Sequence, residues 1–150
     1  MPPESADNAG IEANIIAALA HFARSAGGRA FSSSAGVMVG RDHRQLREVD
    51  AAYIGPARLQ LAYPRWVDGA PDLAVEVLSQ NQYGAAYARG KVHEYLDAGA
   101  QLVWLVDQRR EEVRVYRPNS DDFTICRGEA ELTLEPIISG FSLKVSDIFR

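Results

Sequence analysis

The sequence predicts an α/β (α+β) fold, a central mixed β-sheet flanked by helices, and three observations lead there. Apolar residues recur at helical spacing over two segments, Ile11 to about Ser25 and Gly84–Ala98. Short strand-like runs stand between and after them, and one, Asp72–Leu78, reads Asp-Leu-Ala-Val-Glu-Val-Leu, as a compact central strand does. The second helical segment separates that run from another apolar strand, Leu102–Val106, the order of a right-handed crossover.

The elements follow in order. Residues 1–10, MPPESADNAG, carry Glu4 and Asp7 and no basic start ahead of an apolar segment, so a short mobile tail is expected rather than a signal peptide. Ile11, Ile15, Ile16, Leu19, Phe22 and Ala23 then line one face of a helix that Gly27-Gly28 stops. Arg29–Ser32, Gly36–Val39 and Arg47–Ile54 are rich in small and β-branched residues and predict a hairpin-rich region. Gly55–Ala70, with two prolines and Gly69, is a connection, and Gly99 closes the second helix. Glu112–Tyr116 alternates as a half-buried strand should, Phe123–Cys126 and Glu131–Leu134 predict extra C-terminal β-hairpins, and a short helix is expected near Val145–Phe149. Residues 11–150 are expected to form a single domain, with no repeat or low-complexity segment.

Composition narrows the function classes. Sixteen Lys plus Arg against twenty Asp plus Glu give −4, which excludes a generic polycation; a nucleic-acid ligand would need a local patch. The lone Cys126 excludes a disulfide framework, a four-thiolate zinc site and a CxxC pair, and suits the cytoplasm. Charges interrupt every apolar run well before the roughly 18 residues of a membrane span. No GxSxG, P-loop or GxGxxG is present, and His21, His43 and His93 lack ligand spacing.

Three ionisable residues sit on faces that periodicity makes apolar. Glu76 lies in the middle of the central strand, where alternation groups it with Asp72, Ala74 and Leu78 against Leu73, Val75 and Val77. Lys91 shares a helical half with Tyr87, Ala88, Val92, Tyr95 and Leu96, at about 100° per residue, unless it snorkels to water. Asp50 opens an otherwise small and apolar run, Ala51, Ala52, Tyr53, Ile54, and its plainer reading is a strand-edge or turn residue. Together they are two carboxylates and an ammonium, the parts that hold Mg²⁺ and offset charge in phosphodiester hydrolysis. Asp72 lies four positions, about 13 Å, from Glu76 and cannot share one ion with it, whereas Asp50 on a strand about 4.8 Å away can. Asp72 is expected to end its strand as a turn residue.

The segments REVDAAYIG (Arg47–Gly55), PDLAVEVLS (Pro71–Ser79), GKVHEYLDAGAQLVWLVDQ (Gly90–Gln108), EVRVYRP (Glu112–Pro118) and GFSLKVSDIF (Gly140–Phe149) resemble the Uma-two family of the PD-(D/E)xK nuclease superfamily. The resemblance runs over about residues 11–149 and implies a restriction-endonuclease-like fold and a metal-dependent endodeoxyribonuclease. It implies Asp50, Glu76 and Lys91 as catalytic residues, with Lys91 on the helix because Leu78 stands where the superfamily has its lysine. Asp50, Glu76 and the Val77 backbone carbonyl are the implied Mg²⁺ or Mn²⁺ ligands, and Glu12 on the first helix is a further candidate acid. Val49 replaces the usual proline and Gln80 follows Ser79 where the family has one. The family's opening β-hairpin region is expected to be missing.

Three readings stay open at this point. The first is a Mg²⁺-dependent nuclease acting on DNA, which Arg41, Arg44, Arg47, Arg109 and Arg110 would approach. The second is a weak or inactive nuclease-fold module acting in protein association as a homodimer. The third is a structural ion-pair network. Trp66 and Trp104 are expected in the core or a subunit contact, and the Ser32-Ser33-Ser34 run in a loop.

Overall fold

The computed structural model describes residues 5–33, 35–40, 42, 44–61, 67–78 and 84–150. Helix α1 (Ala6–Ala26) begins earlier than its apolar repeat, because Ser5 stays extended and its hydroxyl accepts the Asn8 N–H at 3.2 Å. Residues 6–10, expected in a mobile tail, are therefore helical; residues 1–4 lie outside the described residues. Apolar periodicity begins only where the helix turns a face to the core, so a polar first turn escapes it. At the other end Gly27 (φ 86°) donates to the Ala23 carbonyl at 2.9 Å. Gly28 (φ 79°) admits no side chain, since a Cβ there would stand 2.5 Å from the Tyr53 hydroxyl, which donates to the Gly27 carbonyl at 2.8 Å.

Strands β1 (Arg29–Ser32), β2 (Gly36–Val39), β3 (Gln45–Glu48) and β4 (Ala51–Ile54) follow. The single strand expected over Arg47–Ile54 is two. β3 pairs with β2, while β4 pairs with β1 and with β6 (Leu73–Val77), so the chain changes sheets at Val49-Asp50. A 3₁₀ helix (Pro56–Leu61) and β5 (Val67–Asp68), parallel to β2, lie in the connection. Helix α2 (Gly84–Asp97) then leads to β7 (Leu102–Asp107), β8 (Glu112–Tyr116) and β9 (Phe123–Arg127). β10 (Glu131–Leu132) pairs with β11 (Leu143–Lys144) as a separate ribbon, and α3 (Val145–Ile148) ends the chain.

The main sheet has the order β1-β4-β6-β7-β8-β9. Its only parallel pair is β6–β7, bridged by α2; the other pairs are antiparallel. Ala51, Tyr53, Leu73, Val75 and Val77 pack with Ile11, Ile15 and Leu19 of α1. Ala52, Ile54, Ala74, Val103 and Leu105 pack with Ala88, Val92 and Tyr95 of α2. Side-chain alternation thus puts the two helices on opposite faces, with all of β6 buried between them. Trp104 is in the core as expected, and Trp66 lies outside the described residues. Among the described residues no helix is long and apolar enough to cross a membrane.

Asp72 ends its strand as expected, and it also fastens three segments. Its carboxylate accepts the Gly55 N–H at 2.7 Å, Arg58 at 2.6 Å and Gln101 at 3.2 Å, while its carbonyl accepts the N–H groups of Gln101 and Leu102. Only 2% of it is exposed, so no water replaces those partners. Asp72→Ala is expected to lower stability by about 2–3 kcal/mol in urea denaturation, since hydrogen bonds to a buried charge are lost and the Gly55 donor is orphaned.

Candidate active site

The ladder between β4 and β6 runs Ala51↔Val75, Ala52↔Ala74, Tyr53↔Leu73, and continuing it sets Asp50 across from Glu76. The ladder stops there in a specific way. The Asp50 N–H donates to the Val75 carbonyl at 3.1 Å, and its Oδ2 accepts the Val77 N–H at 2.7 Å. A side-chain oxygen thus does what the next backbone carbonyl of a continuing strand would do, and the chain is free to leave. The carboxylate is thereby fixed at the end of β6.

Glu76, 4% exposed, points to the α2 face, as alternation with Ala74 requires. Its Oε2 accepts Lys91 Nζ at 2.9 Å and its Oε1 accepts the Tyr95 hydroxyl at 2.7 Å. Lys91 and Tyr95 stand one helical turn apart, so α2 offers both donors from one face. Both also approach the Glu48 carbonyl, Lys91 Nζ at 3.4 Å and the Tyr95 hydroxyl at 3.5 Å. The Lys91 side chain is 14% exposed: it reaches inward to Glu76 and does not snorkel. The structure therefore brings Asp50, Glu76 and Lys91 to one end of β6.

Burial raises the Glu76 carboxyl above the usual carboxylate range, and the Lys91 charge and the Lys91 and Tyr95 hydrogen bonds only partly oppose it. The Tyr95 hydroxyl is pushed up by burial, by Glu76 and by Asp50, so it stays protonated and donates. Beside them Arg47 grips Glu94 with Nε at 2.7 Å and Nη2 at 3.0 Å. That hydrogen-bonded pair raises Arg47 and holds Glu94 below the ordinary range.

Sequence reasoning missed Tyr95 and the Arg47–Glu94 pair. Tyr95 was placed on the buried face as an apolar ring; the lysine four positions before it was the signal that its hydroxyl shares that lysine's target. Tyr87, expected on the same buried half, is 60% exposed. Glu12 is 6% exposed on α1, the helix that covers the opposite face of the sheet. Arg44 sits in an exposed pair with Asp42, and Arg110 in the β7–β8 turn lies 4.0 Å from Glu112. Arg41, His43, Ser34, Ser79 and Gln80 lie outside the described residues.

Among the described residues no three His, Cys, Asp or Glu gather as a metal cluster. The groups that would hold an ion are the carboxylates of Asp50 and Glu76, at opposite register positions of neighbouring strands, and the Val77 carbonyl next to Glu76, an all-oxygen set suited to a hard cation. Glu76 fits such a role by its donor chemistry, a buried carboxylate whose two oxygens are held by Lys91 and Tyr95 in this structure and keep lone pairs for an ion.

Acids at the ends of two adjacent strands thus stand beside a lysine from the crossover helix. Over residues 1–146 the chain matches the Uma2 family, described as "Putative restriction endonuclease", and it belongs to that family. A solved structure described as "a putative nuclease belonging to DUF820", from Anabaena variabilis ATCC 29413, shares the fold with a TM-score of 0.80. The two are 21% identical, and the match covers 99% of this chain and 83% of that one. Among curated proteins none matches the chain. The expected restriction-endonuclease-like family and fold are thus found.

The raised Glu76 carboxyl has a consequence for stability. A carboxyl whose folded-state value lies above its unfolded value stabilises the fold fully at low pH, and that contribution is lost as pH rises through the folded value. Glu76→Gln, which stays neutral, is expected to raise the thermal midpoint of the metal-free protein at pH 8. The gap should close as pH falls below the ordinary carboxylate range. A lower midpoint at pH 8 would instead mean that the pair with Lys91 holds the fold together.

Proposed function

We propose that the protein is a Mg²⁺- or Mn²⁺-dependent endonuclease that hydrolyses DNA phosphodiester bonds at Asp50, Glu76 and Lys91. The observation that carries this reading is the meeting of Asp50, Glu76 and Lys91 at the end of β6, with Lys91 Nζ 2.9 Å from Glu76. Asp50, Glu76 and the Val77 carbonyl would hold the ion. When bound, a divalent cation acidifies a water and offsets charge on a phosphoryl oxygen.

The remaining work belongs to the chain's own residues. The Val77 N–H orients the Asp50 carboxylate, and the Tyr95 hydroxyl fixes Glu76 through the oxygen that Lys91 does not take. Lys91 keeps a positive charge at Glu76, where a phosphate would gain negative charge as it is attacked. Membership of a family described as a restriction endonuclease supports DNA as the substrate.

A second reading has one observation in its favour. β9 is an edge strand of the main sheet and carries Phe123 and Ile125, 42% and 46% exposed, so the fold could pair two copies there as a homodimer. Light scattering on the purified chain decides it: a monomer at working concentration removes the dimer.

Cleavage of single- and double-stranded DNA across a Mg²⁺ or Mn²⁺ titration tests the nuclease. Asp50→Ala and Lys91→Ala are each expected to slow cleavage about a hundredfold or more, and a chelator to abolish it. Equal background cleavage by the wild type and both variants would remove the enzyme reading.

A further inference from the structure

α2 displays an aromatic ring to solvent beside the site. Tyr87 is 60% exposed, more than any other large apolar side chain among the described residues. Its ring centre lies 5.5 Å from Lys91 Nζ, the same atom that stands 2.9 Å from Glu76. The ring is therefore the outward neighbour of the group that faces a substrate phosphate.

Among the described residues the flank of that ring is open. Gly90, three positions on, lies on the ring's side of the helix, and helical side chains lean back toward the N-terminus, so a side chain at 90 would stand beside Tyr87. Glycine inside a helix is destabilising relative to alanine. Among the described residues packing does not require it here, because a Cβ at Gly90 would meet nothing within 4 Å beyond the helix's own backbone. Further along the same face Glu94 holds Arg47, so the open ring lies in line with a second cation. An exposed aromatic ring with an ammonium over one of its faces, leaving stacking to the other, and free space on its flank among the described residues are features that take up a nucleobase with its phosphate.

We infer that Tyr87, with the space left by Gly90, is a stacking subsite for an unpaired nucleobase next to the phosphate that Lys91 faces. The substrate is then single-stranded or locally unpaired DNA. In a duplex both faces of a base are taken by its stacked neighbours, so only an unpaired base has a face to offer. This rests on the phosphodiester reading of the Asp50–Glu76–Lys91 site, which decides where the phosphate lies. Stacking tolerates any base, so the subsite selects strand state and not sequence.

The test is fluorescence anisotropy on the full chain with a short labelled oligonucleotide, in Ca²⁺, an ion that takes the same oxygen donors. The wild type is expected to bind the single strand more tightly than the duplex of the same sequence. Tyr87→Ala should weaken single-strand binding about tenfold or more, and Tyr87→Phe should keep it. An oligonucleotide with one base removed should cost the wild type a similar factor and cost Tyr87→Ala nothing further. Gly90→Leu should weaken binding while its thermal midpoint holds or rises, which a structural role for Gly90 would not give.

Single-strand binding by Tyr87→Ala equal to that of the wild type overturns the subsite, as does a wild type that prefers duplex or binds neither form. The two readings fail separately. Cleavage abolished by Asp50→Ala with binding indifferent to Tyr87 overturns the subsite alone. Tyr87-dependent binding without metal-dependent cleavage keeps the subsite and removes the nuclease.

Discussion

Where β4 leaves β6, the Asp50 carboxylate takes the Val77 N–H at 2.7 Å, and the neighbourhood of the site follows from that bond. An edge formed by a departing strand would leave a buried donor unpaired on the innermost strand of the sheet, at a cost of about 1–3 kcal/mol. With that donor satisfied, the chain before Asp50 can join β2 instead of β6. The detour carries Arg47 to Glu94 and the Glu48 carbonyl to Lys91 and Tyr95. A continuous strand over residues 47–54 would have kept residues 47 and 48 in the main sheet and away from α2. One hydrogen bond thus serves two ends: it closes the ladder, and it gathers donors and acceptors around Glu76.

The same region marks the limit of what the sequence discloses. Alternation and apolar runs suffice for the two large helices, the buried strand β6 and the crossover to β7, because each of these is decided by which side chains must leave water. The split of Arg47–Ile54 is decided by a change of pairing partner, and nothing local separates a strand that changes sheets from one that continues. The start of α1 is hidden for a related reason: Ser5 and a polar first turn stabilise a helix end without burying a face. Asp50, Glu76 and Lys91 were legible because a charge on an apolar face is an anomaly that periodicity exposes. Tyr95 was not, since its ring is ordinary core material and only the hydroxyl, meeting Glu76, has a polar task.

Glu76 also explains how a lysine can come from a helix. Residue 78 shares the face of Glu76 on alternation, and a leucine there packs against the α2 layer, with its N–H donating to the Val106 carbonyl. The proposed chemistry calls for an ammonium at Glu76 Oε2, and the backbone that supplies it is immaterial so long as the stem reaches. From α2 the stem of Lys91 crosses apolar ground, and only the charged tip meets polar partners, Glu76 and the Glu48 carbonyl. The arrangement has a structural by-product, for it ties α2 to β6 and to the end of β3 through one atom.

The formal charge of −4 gains a different meaning in this setting. Acids count against nucleic acid only where they face it uncompensated. Asp72 and Glu112 are turned inward on arginines, and Glu94 is neutralised by Arg47, so these acids present little field to a ligand. Glu76 is the exception: burial holds its carboxyl high although a lysine and a tyrosine both donate to it. Two such donors would normally favour the anion, and here the desolvation of a side chain that is only 4% exposed outweighs them. That carboxyl sits at the end of β6, across from Asp50 and one residue before Val77. Other acids, among them Asp97, Asp121, Asp122 and Glu135, stay exposed, so the acidity of the chain is divided between a solvated surface and the buried carboxyl at the end of β6.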